Sequence, residues 1–199
     1  MARWEPDSAE RLARAALDLF AERGYENTTV IDIALRAGLT KSTFFRHFQD
    51  KREVLFGNES MYELIVTTTA AALAEATPFE AVQHALDAAA ASVFTPARRE
   101  FIVRRAEVIA ATPELREREA LKELGLIELL VGALRRRGVP DVAARVAAEL
   151  SSLATKIAYE RWSAISEGED FGLAAGSALD EVRAASVRWS TLFPAAADK

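Results

Sequence analysis

Cysteine is absent from this chain of 199 residues, and histidine occurs only twice. Without cysteine there is no disulfide framework and no thiolate metal site, and His47 and His84 alone cannot complete a histidine-based metal site. Gly-rich phosphate loops, a nucleophile elbow and a carboxylate pair on a distinctive motif are missing too. We therefore expect no metal, no cofactor and no catalytic residue.

Long hydrophobic runs are also missing, although half of the residues are hydrophobic. The longest candidates, residues 66–74 and 85–94, are too short to cross a bilayer. The first seven residues lack the apolar core of a signal peptide. These features predict a cytoplasmic protein that does not bind a membrane.

Strand signals are rare, because β-branched and aromatic residues seldom alternate with polar ones. Helix boundaries are frequent instead: capping residues, prolines in first turns and glycines at helix ends recur along the chain. They predict an all-α protein of about nine helices. The five later helices are expected over about 78–94, 96–111, 113–137, 140–167 and 171–192. The arginines at 135–137 are expected to form a solvated helix end.

Four helices are expected in the first 73 residues. Their boundary signals are Asp7 with Glu10 and then Gly24, Thr29 with Asp32, Thr40, and Asp50 with Glu53 for a long fourth helix ending near Leu73. The second and third helices are joined by residues 37–40, the spacing of a helix-turn-helix. Gly38 permits the sharp turn, and Leu39 fills the angle between the helices. If the third helix lies in the major groove of DNA, its first residues meet the duplex.

Charge is distributed unevenly. The net charge is −5, which by itself disfavours a nucleic-acid partner. Residues 36–52, however, contain one acid, Asp50, and five basic residues: Arg36, Lys41, Arg46, Lys51 and Arg52. Residues 53–199 contain 16 basic and 22 acidic side chains. A basic segment joined to an acidic body is compatible with a protein that binds DNA.

Short motifs run in a fixed order through the first quarter of the chain: AALDLF at 15–20, GY at 24–25, TTV at 28–30, IA at 33–34, AGLTKSTFFRHF at 37–48 and DK at 50–51. As an ordered set they resemble the TetR family of bacterial transcriptional regulators. The resemblance implies a DNA-binding domain over residues 1–52 and a ligand-binding and dimerisation domain over 53–199. It also implies a homodimer on a palindromic operator, and usually repression relieved by a small-molecule effector.

The resemblance implies contacts with double-stranded DNA at specific positions. They are Thr29, Thr40, Lys41, Ser42, Thr43, Phe45, His47 and Lys51. The family often has tyrosine where this chain has Phe45, and phenylalanine cannot offer a hydroxyl to phosphate. Phe45 is then left to stack on sugar, to contact a thymine methyl group or simply to pack. Arg46 is the candidate for the missing phosphate contact.

The resemblance also implies a ligand cavity in the second domain. The candidate wall residues are Met61, Tyr62, Phe94, Phe101, Ile109 and Trp162. Plain core packing is the alternative for each of them. Arg104 and Arg105 either orient a polar ligand or are surface charges.

Two apolar stripes near the end of the chain predict a dimer interface. The interface residues are Val146, Leu150, Leu153 and Ile157 on one helix and Leu179, Val182 and Trp189 on the next. Two long helices with more apolar positions than one face can bury favour a four-helix contact between subunits. The alternative is that both stripes are buried within their own chain.

Two rival functions remain open at this point. A helical adaptor that binds another protein would leave the basic chemistry of residues 41–51 unexplained. A carboxylate-dependent enzyme is the other rival, because such catalysis leaves little local signature in a sequence.

Overall fold

A computed structural model of the chain describes residues 8–56, 59–164 and 170–187. Over these residues the fold is all-α, with nine α-helices, two 3₁₀ turns and no strand. The α-helices are α1 (Ser8–Arg23), α2 (Val30–Arg36), α3 (Lys41–His47), α4 (Glu59–Ala71), α5 (Pro78–Ser92), α6 (Arg99–Ala111), α7 (Pro113–Arg136), α8 (Asp141–Ala164) and α9 (Phe171–Val187); the 3₁₀ turns are Arg52–Leu55 and Pro96–Arg98. The predicted fold class is confirmed. Asp7 and Trp189 lie outside the described residues.

The predicted start of the fourth helix is wrong. Asp50 caps the first 3₁₀ turn rather than α4, with Oδ1 accepting hydrogen bonds of 2.8 and 3.1 Å from the turn's first two backbone N–H groups. The Glu53 side chain does not return this cap. It pairs with Arg118, and its Oε2 lies 3.1 Å from Lys122 Nζ. A local spacing rule cannot detect partners more than sixty positions away.

Other helix starts follow the sequence more closely. α5 and α7 begin at prolines as expected, and the Thr77 hydroxyl caps α5 in a reciprocal box with Glu80. The helix expected from Pro96 opens with the second 3₁₀ turn before α6 begins. Across the described parts of the chain, no helix has the length and hydrophobicity to cross a membrane.

The described residues pack as two compact units, which we call unit 1 (those within Met1–Glu59 and Arg98–Lys122) and unit 2 (those within Ser60–Ala97 and Glu123–Lys199). Unit 1 has a core of large side chains, because helical spacing places them on the facing sides of its helices. This core contains Leu12, Ala15, Ala16, Leu17, Leu19, Phe20, Ile33, Ala37, Phe44, Phe48, Val54, Leu55, Phe56, Ile109 and Leu115. The domain boundary expected after residue 52 stays a prediction, since a domain is defined by independent folding and these units by packing.

Unit 2 is built around close contact between α8 and α9. The buried residues of these helices are mostly small, so the backbones can approach closely. They include Ala144, Ala147, Ala148, Ser151, Ala154 and Ala158 on α8, and Ala174, Ala175 and Ala178 on α9. Beside them is an aromatic cluster of Phe94, Tyr159, Trp162 and Phe171, in which Phe94 and Phe171 stack with centroids 3.8 Å apart.

Arg137 occupies a specific place in unit 2. Its guanidinium donates hydrogen bonds to the carbonyl oxygens of Ala72, Leu73 (2.8 Å) and Ala76 (2.9 Å). These carbonyls lie at and just after the end of α4, where helical partners are lacking. The expectation of a solvated helix end is therefore wrong for Arg137, which caps another helix instead.

Candidate nucleic-acid interface

The starts of α2 and α3 are fixed by threonine caps. At α2, Thr29 Oγ1 accepts from the Asp32 N–H at 3.2 Å, and Asp32 Oδ2 accepts from the Thr29 N–H at 2.9 Å. At α3, Thr40 Oγ1 accepts from the Thr43 N–H at 3.1 Å. Each cap satisfies donors that the first helical turn leaves without an intrahelical partner. Both short helices therefore have defined starts in the free protein.

The turn between α2 and α3 depends on Gly38 and on a residue from α1. Gly38 has φ +66°, a conformation that disfavours side chains, and the Leu39 N–H donates to the Ala34 carbonyl at 2.8 Å. Arg11 Nη2 donates to the Ala37 carbonyl at 2.5 Å. A Cβ on Gly38 would lie 3.0 Å from that guanidinium nitrogen. The role of Arg11 had no sequence signal, because it contacts a carbonyl 26 positions away.

α3 has a buried aromatic side and an exposed side. Phe44 and Phe48 are 0% and 6% exposed and join the core of unit 1, whereas Phe45 is 48% exposed. The residues on the exposed side are Lys41, Ser42, Phe45, Arg46 and His47. Thr43 is half-buried, with its hydroxyl 3.0 Å from that of Thr40. The structure thus places most of the predicted α3 residues on one accessible surface.

Several basic residues near α3 are neutralised within unit 1. Arg36 forms two hydrogen bonds of 2.7 and 2.8 Å with the Glu22 carboxylate, and this contact lowers the pKa of Glu22. Arg52 lies 2.8 Å from Asp50. Burial of Asp50 opposes its ionisation, but hydrogen bonds from Arg52 and the Glu53 backbone leave its pKa below the usual range. Two of the five cations counted in this segment are thus matched by carboxylates.

Lys51 is held by Tyr25. Its Nζ donates to the Tyr25 carbonyl at 2.8 Å and lies 3.8 Å from the centre of the Tyr25 ring. Burial raises the pKa of Tyr25 to about 12, so the phenol is neutral at physiological pH. The Lys51 ammonium therefore has a fixed position, which its place beside a helix start did not reveal.

The two cations of this segment that lie on α3 are Lys41 and Arg46. Among the described residues, no carboxylate forms an ion pair with either of them. With Ser42 and Phe45 they line a shallow concavity on the surface of α3. Lys41 Nζ lies 5.8 Å from the centre of the Phe45 ring. Lys41, Arg46 and Lys51 are thus the three cations of this segment that no carboxylate of the described residues pairs with, and two of the three lie on the exposed side of α3.

Arg104 and Arg105 make contacts within unit 1 that the sequence did not indicate. Arg104 Nη2 lies 2.9 Å from Asp18 Oδ1. Arg105 Nε donates to the Leu55 carbonyl at 2.6 Å, and its guanidinium lies 4.9 Å from the centre of the Phe56 ring. These contacts connect α6 with α1 and with the first 3₁₀ turn.

The predicted ligand residues fall into both units. Phe101 and Ile109 pack in the core of unit 1, whereas Met61, Tyr62, Phe94 and Trp162 belong to unit 2. Phe94 and Trp162 are in edge-to-face contact, with centroids 5.8 Å apart. Their cluster partners Tyr159 and Phe171 had no signal in the sequence, because only the packing of α8 with α9 brings these two residues together.

The predicted dimer residues differ in burial. Val146 and Leu153 are about half exposed on α8, and Leu150 and Ile157 are partly buried. Leu179 and Val182 are buried within unit 2. Val142, which continues the α8 stripe, is 78% exposed. The stripe that lacks a covering partner among the described residues is consequently the one on α8.

Comparison with known proteins agrees with this geometry. Residues 12–56 match the family described as bacterial regulatory proteins, tetR family. Over 45 residues the chain is 51% identical to the HTH-type transcriptional regulator TcmR of Streptomyces glaucescens. This aligned segment covers 23% of the chain and 20% of TcmR. This N-terminal region is therefore that of the TetR family. The chain is also 32% identical over 91 residues to the HTH-type transcriptional repressor KstR2 of Mycolicibacterium smegmatis, covering 38% of the chain and 43% of KstR2. The aligned segments thus span less than half of these relatives.

Solved structures resemble the chain over most of its length. The SmeT–triclosan complex has a TM-score of 0.62 at 22% identity, covering 89% of this chain and 90% of SmeT. Thermus thermophilus FadR in complex with lauroyl-CoA, a TetR-family repressor, has a TM-score of 0.54 at 24% identity, covering 88% and 93%. At these identities the likeness establishes a shared fold.

Proposed function

We propose that this chain is a homodimeric transcriptional repressor, without catalytic activity, that binds a palindromic operator and is released by a small-molecule effector. The observation that carries the proposal is the charge pattern of α3. Nearby Arg36 and Arg52 are paired with acids, while Lys41 and Arg46 are not. An exposed helix that presents unpaired cations beside small polar side chains suits the major groove of a duplex.

The residues of this surface divide by chemistry. Lys41, Arg46 and Lys51 would contact phosphates, since an ammonium has three donors and Lys51 uses one on Tyr25. Ser42, Thr43 and His47 would reach base edges. Thr29 and Thr40 already use their hydroxyls as caps, so we assign them the placement of helix starts beside the DNA backbone.

A selection from random duplexes, followed by binding titrations at several salt concentrations, tests the DNA-binding part. Arg46→Gln should weaken binding to every duplex and reduce the slope of log affinity against log salt by about one per half-site. Arg36→Gln is the matched control, because its charge is already paired with Glu22. Equal losses in both variants, or no enriched sequence, would contradict the proposal.

Dimerisation is proposed through the α8 stripe. Val142, Val146 and Leu153 are exposed at helical spacing along 24 residues of α8, a pattern suited to a second copy of the same helix. Leu153→Glu should convert dimers to monomers in sedimentation analysis and weaken operator binding. Leu124→Glu, which changes an exposed leucine on α7, is the control and should leave the dimer intact. A monomeric unmodified chain would overturn this part.

The effector is proposed to be apolar and to bind unit 2. Support comes from the aromatic cluster around Phe94 and Trp162, and from the ligands of SmeT and FadR, which carry aromatic rings or an acyl chain. An effector acts only through different affinities for the DNA-bound and free states. Calorimetric titration with triclosan and lauroyl-CoA, with and without operator, should show one binding more weakly to the DNA complex. Equal affinities would exclude that compound as an inducer.

A further inference from the structure

We propose that Phe45 reads the 5-methyl group of a pyrimidine, so that each half-site of the operator presents thymine, or 5-methylcytosine, to its ring. The inference rests on the proposed DNA binding and specifies what one residue of that surface recognises. It follows from the exposure of Phe45, from its chemistry and from the two cations beside it.

Exposure separates Phe45 from its aromatic neighbours. α3 contains two phenylalanines, Phe44 and Phe45, and is followed by Phe48, yet only Phe45 leaves the core. The Phe44 and Phe45 rings are in edge-to-face contact, with their centroids 5.5 Å apart, so that Phe44 supports the Phe45 ring from the buried side. Core packing therefore does not account for the exposed half of the Phe45 ring, which has no polar atom for water or phosphate.

The residues around Phe45 indicate which chemical group of the DNA its ring contacts. Lys41 and Arg46 share the concavity with the ring and carry unpaired charges, so a bound group lies among cations suited to phosphates. In the major groove the thymine methyl is the apolar group that a base presents, while cytosine has hydrogen at the same carbon. An apolar ring among phosphate-binding cations matches that methyl group.

Deoxyuridine tests the inference, because it keeps every hydrogen-bonding group of thymine and lacks only the methyl. The probe is the duplex enriched by the unmodified protein from random sequences, with each thymine replaced in turn. Loss of one buried methyl should weaken binding about fourfold per half-site, and about fifteenfold when both half-sites are changed. Replacing the same thymine by cytosine and then methylating that cytosine should recover part of the loss.

Two variants connect the effect to Phe45. In Phe45→Ala the deoxyuridine penalty should disappear, because the methyl then has no ring to contact. In Arg46→Gln overall affinity should fall while the penalty remains. A penalty that persists in Phe45→Ala would overturn the inference, because the methyl would then be contacted by another side chain. An enriched duplex that tolerates deoxyuridine at every thymine would overturn it as well, while leaving the proposed operator binding intact; a failure to enrich any duplex would reject both.

Discussion

Unit 1 and unit 2 are stabilised by different kinds of packing. The N-terminal helices of unit 1 surround large rings such as Phe20 and Phe44, and ion pairs between distant positions, such as Asp18 with Arg104, connect its helices. Unit 2 is centred on α8 and α9, whose facing residues are mostly alanine. Large side chains fill space between helices that stand apart, whereas small ones let backbones meet. The large side chains of unit 1 suit a surface that must keep one shape. Unit 2 instead depends on close contact between its helices.

The largest expected effect concerns a ring in unit 1. Phe44→Ala should lower the free energy of unfolding by about 3–5 kcal/mol, because it leaves a cavity at a fully buried position. Phe45→Ala, one residue away and half exposed, is the matched control and should change it by less than about 1 kcal/mol. Urea unfolding followed by circular dichroism measures both. Similar losses would show that α3 is not divided into a buried and an exposed side.

The next effect tests close packing in unit 2. Ala154→Leu should destabilise the fold by about 1–3 kcal/mol, because extra methylene groups at a fully buried alanine of α8 force the surrounding helices apart. Ala143→Leu, on an exposed position of α8, serves as the control and should be nearly neutral. The same urea experiment applies. A neutral Ala154→Leu would mean that the helices leave more space than their small residues indicate.

Arg137 allows a test of a single capping interaction. Arg137→Met keeps much of the side-chain volume but removes the donors to the three carbonyls after α4, at a cost of about 1–3 kcal/mol. Arg136→Met, its exposed neighbour, should stay within about 0.5 kcal/mol of the unmodified protein. Hydrogen exchange near Ala72 and Ala76 should quicken only in the Arg137 variant. Equal stability of the two variants would contradict the capping role of Arg137.

The smallest expected effect is on the pH dependence of stability. It concerns the reciprocal cap that occurs in both units, at the start of α2 and at the start of α5. Hydrogen bonds from Thr29 lower the pKa of Asp32, and those from Thr77 lower the pKa of Glu80. A carboxyl group whose pKa is lowered by folding stabilises the folded protein at pH values above its ordinary pKa, which is 3.8 for Asp32. This stabilisation is lost as the pH falls through the lowered pKa of the folded state. Thermal unfolding between about pH 6 and pH 3 should thus be less pH-dependent in Asp32→Asn and in Glu80→Gln. Unchanged pH dependence in either variant would contradict this origin of its pKa shift.

The accuracy of sequence interpretation follows the range of the interactions involved. The caps at Thr29 and Thr40 and the turn at Gly38 involve neighbouring residues, so the helix-turn-helix could be predicted from spacing alone. The partners of Glu53 and Arg137 are more than sixty positions away, and no local pattern indicates them. For this reason the start of the fourth helix predicted from the sequence lies too early in the chain.

The same distinction applies to the candidate site. Helical periodicity identified which α3 residues are accessible, because Phe44 and Phe48 are four residues apart. It could not show which cations are already neutralised, since Glu22 and Arg36 lie on different helices. The expected ligand residues were divided between two cores for a related reason: an apolar side chain has the same pattern whether it lines a cavity or fills a core.

The preformed threonine caps have a kinetic consequence. Because α2 and α3 have their first turns satisfied before any DNA arrives, a protein searching along non-specific duplex need not refold its reading helix at each position it samples. Association would then be limited by encounter and by the salt-dependent release of counterions rather than by local ordering. The heat-capacity change on binding would correspondingly reflect the surface buried at the contact, with no added contribution from helix formation.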